Sequence, residues 1–276
     1  MRVRRLAVAA IAAVLGAGSL AACGTGSPDV AAYVGDTTYQ LSQVDAVYDE
    51  VQQSHGDRVR QAYAAENDAA KQRAEQTGAE APATIEPSPQ DLLPPVTRQD
   101  VVSLLVSVDL GRQVLADEQL QAPTGEVSGL AGALGVEADS EYAALWTEWY
   151  GILLTLEENL APADYTDEAV TAVYAPLVDA GALPQGLTVE QVRQQFGDGS
   201  FVRSAVALRD ALAGKADEIG VRVNPRFDSL AAPLLVPTNQ GAIFYDLSYL
   251  PTGTPVTDAP AQTETPAEPA GDGHDH

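Results

Sequence analysis

Apolar residues recur at intervals of three and four positions along several stretches of this chain, and this pattern constrains the fold more than any other feature. Such a period matches one buried face of an α-helix. Loops rich in proline or glycine, at residues 78–95 and 123–139, interrupt the pattern. The predicted helical stretches are residues 41–51 with a polar extension to 77, 97–115, 141–160, 166–180, 188–196 and 200–219. Ser42 with Asp45 and Thr97 with Asp100 have the spacing of capping boxes and predict the starts of the first two helices.

Short runs of β-type residues lie at both ends of the helical region. Residues 32–34 and 37–39 flank the turn Gly35-Asp36 and predict a small hairpin. Residues 221–223 predict a late strand, and residues 242–250 form a weaker strand candidate. Because each run is too short to be stable alone, we expect a mainly α fold, in which a small β-sheet joins the early hairpin and the late strand.

The N-terminus has the order of a secretory signal peptide: arginines, a short apolar stretch and then small residues. The sequence Leu-Ala-Ala-Cys-Gly at residues 20–24 is similar to a bacterial lipobox, in which the cysteine is lipidated and becomes the new N-terminus. Residues 1–22 are therefore predicted to be a lipoprotein signal peptide and residues 23–29 a lipidated tether. Lipid on Cys23 would place the protein on the extracytoplasmic face of the cell membrane.

The remaining chain is predicted to form one domain and a tail. Residues 30–250 carry the helical pattern, whereas residues 251–276 consist largely of proline, threonine, alanine and acids, and we expect them to be disordered. Removing residues 1–22 takes away three arginines and no acids, which moves the formal net charge from −24 to −27. A surface this acidic repels nucleic acid.

Three segments resemble the N-terminal domain of SurA/PrsA-type chaperones. They are AAYVGDTTYQLSQVD at 31–45, TRQDVVSLLVSVDLGRQVLADEQLQAPTGEV at 97–127 and VRVNPRF at 221–227. The resemblance covers residues 30–230 and implies a helical body closed by the pairing of an early and a late strand. It also implies chaperone-like binding of polypeptides. The parvulin isomerase domain found in members of that family is missing here, so we expect no prolyl isomerisation.

No residue pattern predicts an enzyme, a cofactor or a metal site. The only histidine in the predicted domain, His55, lies in a polar helical stretch and is more simply solvated than catalytic. Acids that are adjacent in sequence point in different directions on a helix, and nucleotide-binding glycine motifs are absent from the sequence. His274 and His276 could bind a metal only weakly, and an acidic disordered end explains them as well.

An aromatic cluster in the third long helix is the best candidate for peptide binding. Tyr142, Trp146, Trp149 and Tyr150 would supply a large contact area. A helical aromatic stripe is also typical of a buried core, and the sequence leaves both interpretations open.

Together these features predict a membrane-anchored, chaperone-like lipoprotein. It would bind unfolded or extended segments of exported proteins, with the lipid as its contact to the membrane. The alternative is an accessory or scaffold lipoprotein that binds one defined partner in the envelope.

Overall fold

The computed structural model describes residues 27–123, 125, 129–238 and 241–250. The predicted signal peptide, the predicted lipidation site Cys23 and the tail 251–276 lie outside these residues. The described residues are mainly helical, as predicted, and form β1 (Val30–Val34), β2 (Thr37–Gln40), α1 (Leu41–Thr77), α2 (Arg98–Asp117), α3 (Leu130–Leu134), α4 (Glu141–Asn159), α5 (Asp167–Asp179), α6 (Val189–Phe196), α7 (Ser200–Ile219), β3 (Arg222–Val223), β4 (Leu230–Thr238) and β5 (Gly241–Leu250).

The predicted sheet between the two ends of the domain is confirmed. Strands β1, β2 and β3 form an antiparallel sheet in the order β2-β1-β3, in which Ala32 lies opposite Val223. Asn224 extends this pairing, because its backbone N–H donates to the carbonyl of Ala31 at 2.9 Å and its side-chain amide donates to the carbonyl of Val30 at 2.8 Å. The first and last parts of the body are thereby held together.

Helix α2 lies at the centre of the core. Thr97 and Asp100 form its capping box, as the sequence predicts, with the Asp100 N–H donating to Thr97 Oγ1 at 3.2 Å. Gly111 allows α4 to approach closely, since a Cβ at that position would lie 2.6 Å from Ile152 Cγ2. Most residues along α2 are buried against α4, α7 and the strands, which explains its continuous apolar character.

The second half of α1 extends beyond the core, and the proline-rich loop returns along it. Buried apolar residues end near Val51 apart from Ala74. The loop is fixed to the helix by Asn67, whose side-chain amide pairs with both the N–H and the carbonyl of Ile85 at 2.9 and 2.8 Å. Tyr63 Oη also donates to Asp91 at 3.0 Å. We call residues 57–97 the arm.

Three features differ from the sequence-based predictions. Strand β4 was not predicted, because prolines at 233 and 237 interrupt its β-type pattern. Helix α3 forms inside the predicted glycine-rich loop. The reciprocal cap of α1 uses Gln40, the last residue of β2, whose N–H donates to Gln43 Oε1 at 2.8 Å, rather than Ser42 with Asp45. The strand runs directly into the helix, so Gln40 is the last extended residue before it.

Candidate functional site

Strands β4 and β5 form a two-stranded antiparallel ribbon packed against the helices. Their register places Ala231 opposite Ser248, Pro233 opposite Asp246 and Leu235 opposite Phe244. The ribbon contacts α2 through β4, and α5 and α7 through β5. Each strand therefore has one edge that faces its partner and one that faces away from it.

The outward edge of β4 is closed. The carbonyl of Pro233 accepts a hydrogen bond from Trp149 Nε1 at 2.6 Å, and the carbonyl of Ala231 accepts one from Ser107 Oγ at 3.4 Å. These contacts show that odd-numbered residues of β4 direct their backbone groups away from β5. Pro233 and Pro237 are also odd-numbered, and neither has a backbone N–H to donate. A further strand therefore cannot pair regularly at this edge.

The outward-facing residues of β4 determine which residues of β5 also direct their backbone groups outward. The residues opposite Ala231, Pro233 and Leu235 are Ser248, Asp246 and Phe244, so these three also direct their N–H and carbonyl groups away from the ribbon. Within the part of the chain that the structure describes, no element donates to or accepts from these backbone groups. The outward edge of β5 is thus an unpaired strand edge.

A groove of about 660 Å³ runs between this edge and α5. Five consecutive residues of β5, Phe244 to Ser248, contribute to it, which places the edge of the strand along the groove rather than one of its faces. Arg209 of α7 also lines it, and the opposite wall consists of Ala172, Ala175, Pro176 and Asp179 of α5 and of the C-cap residue Ala180.

The α5 wall combines small side chains with an interrupted helix. Alanines at 172, 175 and 180 leave the space opposite β5 open. Pro176 lies inside α5 and has no N–H, so the carbonyl of Ala172 lacks its usual helical donor four residues on. The groove therefore has unpaired β-strand backbone on one wall and a released helix carbonyl on the other.

The groove is acidic. Asp179 and Asp246 both line it, and neither forms an ion pair with another described residue. Arg209 is already paired with Asp210 at 2.6 Å. The pKa of Asp246 is raised to about 6, because surrounding protein desolvates its carboxylate and the charge of Asp100 repels it. Its side chain nevertheless reaches solvent.

The structure places the predicted aromatic cluster mainly in the core. Tyr142, Trp146 and Trp149 are buried, with Trp149 fully enclosed, and Tyr150 is half-buried against the core. Trp146 packs edge-on against Phe244 with ring centroids 5.2 Å apart. Of the two interpretations, the structure favours core packing for the three buried residues, because a client polypeptide cannot reach them.

Sequence reasoning missed the groove, although two signals pointed to it. Prolines four residues apart, at 233 and 237, share one side of a strand and are typical of an edge. Pro176 interrupts an otherwise regular helical pattern. The two walls are far apart in sequence, so their juxtaposition could not be predicted from local patterns.

A second groove, of about 300 Å³, lies on the arm between α1 and residues 84–87. Its wall is the proline-rich loop that Asn67 and Tyr63 hold in place. His55 belongs to the same set of contacts, with Nε2 3.1 Å from the carbonyl oxygen of Asp91. This histidine therefore contacts the loop and helps to fix it to α1.

Among the described residues, no group of three or more His, Cys, Asp or Glu side chains is arranged to hold a metal ion. His274 and His276 lie outside those residues. None of the described helices is both long and apolar enough to cross a bilayer.

Comparison with protein-family models, with curated proteins and with solved structures finds no match for this chain. The resemblance to the SurA/PrsA-type domain therefore stays a prediction.

Proposed function

We propose that this protein is a membrane-anchored, extracytoplasmic lipoprotein that holds unfolded or extended segments of exported polypeptides without isomerising them. The observation that carries the proposal is the unpaired edge of β5 beside the open groove. An extended segment can add to such an edge as a new strand, with main-chain hydrogen bonds supplying affinity.

Recognition through the main chain suits a protein that must hold many different clients. Every residue except proline offers the same N–H and carbonyl groups, so pairing depends little on the client sequence. A third strand would also strengthen the ribbon, since isolated two-stranded pairings are only marginally stable.

The other predicted properties fit the same role. Lipid on Cys23 would keep the protein at the membrane face, where exported chains emerge unfolded. The formal charge of −27 without residues 1–22 would oppose self-association. His55, the sole histidine of the described residues, is engaged with the arm loop, which supports a holding function without general acid–base catalysis.

Ser248→Pro tests the proposal at the edge itself. The Ser248 N–H points away from β4, so proline removes an outward donor without breaking the ribbon, and Ser248→Ala is the matched control that keeps the donor. We expect the wild-type chain and Ser248→Ala to slow the aggregation of several unrelated unfolded clients, and Ser248→Pro to lose most of this effect. Equal circular dichroism spectra and melting temperatures for the two variants confirm that both are folded.

Two results would contradict the proposal. Equal protection by Ser248→Pro and Ser248→Ala would show that the β5 edge does not hold clients. Failure of the wild-type chain to protect any client, together with crosslinking of a single envelope protein in a fixed ratio, would favour the accessory or scaffold alternative.

A further inference from the structure

The unpaired edge of β5 lies beside the point where the tail of the chain begins. Leu250 is the last residue of β5, and residues 251–276 continue from it. A segment that follows a strand can fold back on it as an antiparallel neighbour through a short turn. The tail is therefore held covalently next to this edge, at the millimolar effective concentration that short linkers give.

We propose that residues 256–261 of the tail add to β5 as a third strand and occupy the groove until a client displaces them. This inference rests on the proposed function and names the regulation of the same site. When no client is present, the edge would be covered, which removes a template for pairing between copies of the chain.

The sequence directly after β5 favours a return of the chain. Leu250-Pro251-Thr252-Gly253 has proline at the second position and glycine at the fourth, which are preferred residues of a type I turn. Hairpin loops of four residues are most often built around this turn. Residues 251–254 can therefore form the loop of a hairpin whose second strand begins at Pro255.

A four-residue loop gives a register in which each outward residue of β5 faces a residue with a backbone N–H. It places Thr257, Ala259 and Ala261 opposite Ser248, Asp246 and Phe244, respectively. Pro260 directs its nitrogen away from β5, where no donor is needed and where it disfavours a fourth strand. Pro255 would lie opposite Leu250, which pairs with Leu230 beyond the register shift of the ribbon and is not one of the outward residues.

The same register also separates the acids of the two strands. Tyr245 packs against Phe201 of α7 with ring centroids 6.1 Å apart, so the odd-numbered side chains of β5 face α7. Asp258 of the tail would lie on this face, and Arg209 of α7 lines the groove. Because side chains alternate between the faces of a strand, Asp246 points to the other face and is not opposed by a like charge.

Arg209 can contact Asp258 without a loss to the fold. Among the described residues, its guanidinium forms an ion pair with Asp210, the next residue in the sequence, whose side chain is 57% exposed. Exposed ion pairs contribute little to stability. An exchange of Asp210 for Asp258 therefore leaves the folded body unaffected.

The wall opposite β5 suits a segment of small residues. Alanines at 172, 175 and 180 form much of it. Residues 256–261, Val-Thr-Asp-Ala-Pro-Ala, contain no side chain larger than those of valine and aspartate. The tail segment can therefore lie between β5 and α5 without displacing either element.

Paired cysteines test the register directly. Residues opposite each other in a hydrogen-bonded antiparallel pair have Cα atoms about 5.5 Å apart, a separation that a disulfide bond spans. In the full chain with Cys23→Ala, we expect Ser248→Cys with Thr257→Cys to form this bond on mild oxidation, as measured by mass spectrometry. Ser248→Cys with Thr265→Cys, which places the second thiol beyond the pairing, is the control and should react about tenfold more slowly.

Ala259→Pro tests the regulation. Proline removes the N–H that faces Asp246 and should free the edge, whereas Ala267→Pro makes the same change beyond the pairing. We expect a fluorescent peptide of alternating valine and serine to bind Ala259→Pro about fivefold more tightly than the wild-type chain, because apparent affinity falls with the fraction of occupied sites. Ala267→Pro should bind the peptide like the wild-type chain, as measured by fluorescence anisotropy.

The possible results separate this inference from the proposed function. Equal rates of disulfide formation for the two cysteine pairs, or equal measurable peptide affinities for the two proline variants, would overturn occupancy by the tail. Peptide binding that is lost in Ser248→Pro would still support the holding function in that case. Rapid disulfide formation by the first pair, with no peptide binding to any variant, would contradict the holding function and the regulation and would support the pairing of the tail alone.

Discussion

The charge of Asp246 opposes folding. Asp246 lies on β5, where surrounding protein atoms and the charge of Asp100 raise the pKa of its carboxyl group from 3.8 to about 6. A raised carboxyl pKa means that the folded chain binds the proton more tightly than the unfolded chain. The charged form therefore lowers stability at neutral pH.

The first prediction concerns the pH dependence of stability. Below about pH 4, Asp246 is protonated in both the folded and the unfolded chain and does not lower the free energy of unfolding. Above about pH 6 the side chain is charged, and the free energy of unfolding is lowered by the full amount. Asp246→Asn should therefore raise the melting temperature at neutral pH, and this gain should vanish as the pH approaches 4. The gain should be modest, because the side chain reaches solvent.

Thermal melts followed by circular dichroism across this pH range check the prediction. Glu80→Gln is the control, since it removes a similar charge from the exposed proline-rich loop. An equal gain for both variants would mean that the net negative charge of the chain, and not the surroundings of Asp246, determines the effect.

At the scale of elements, the sequence predicted those turns and helix starts that depend only on residues close together in the chain. The Gly35-Asp36 turn predicted the β1–β2 hairpin, and Thr97 with Asp100 predicted the start of α2. Strand β4 was missed because prolines disfavour strands in general, and only the packing of α2 and α4 against its outer edge makes them acceptable there.

The candidate site depends on contacts between residues that are far apart in the sequence. The spacing of Trp146 and Trp149 predicted one apolar helix face but could not tell whether that face is covered. Residues of the ribbon cover it, since Phe244 packs on Trp146 and Pro233 accepts a hydrogen bond from Trp149. The groove likewise exists only because α5 lies beside β5.

The second prediction concerns the closure of the body by β1 and β3. Asn224→Ala removes the hydrogen bond from the side-chain amide to the carbonyl of Val30 and the bond that its Oδ1 accepts from the Arg226 N–H. Losing these bonds should cost about 1–2 kcal/mol, which corresponds to a decrease in melting temperature of about 2–8 °C for a domain of this size.

Because β3 ties the end of α7 to the start of the chain, the whole body should melt earlier. Circular dichroism and tryptophan fluorescence should therefore report the same lowered transition, although Trp146 and Trp149 lie on α4. Arg226→Ala, which changes an exposed neighbour, serves as the control. A decrease seen by circular dichroism alone would indicate fraying of one end and would contradict a closing role.

At the scale of the whole molecule, the predicted anchor and the folded body are close neighbours. Six residues, 24–29, lie between Cys23 and Val30, the start of β1. Even fully extended, the seven steps from Cys23 to Val30 span at most about 25 Å. Lipid on Cys23 would therefore hold the β1–β3 sheet near the bilayer, and the groove beside β5 would meet exported chains close to where they emerge.

The last prediction concerns this anchor. Cys23→Ala removes the only thiol in the chain and with it the proposed site of lipidation, whereas Thr25→Ala changes a tether residue and keeps the cysteine. In a bacterial host that lipidates exported proteins, Thr25→Ala should sediment with membranes after a high-salt wash, because buried acyl chains contribute about 0.8 kcal/mol per CH₂ whatever the ionic strength. Cys23→Ala should appear in the soluble fraction. Its retention on washed membranes would show that another part of the chain, or a partner, provides the attachment, and the lipid anchor would then have to be abandoned.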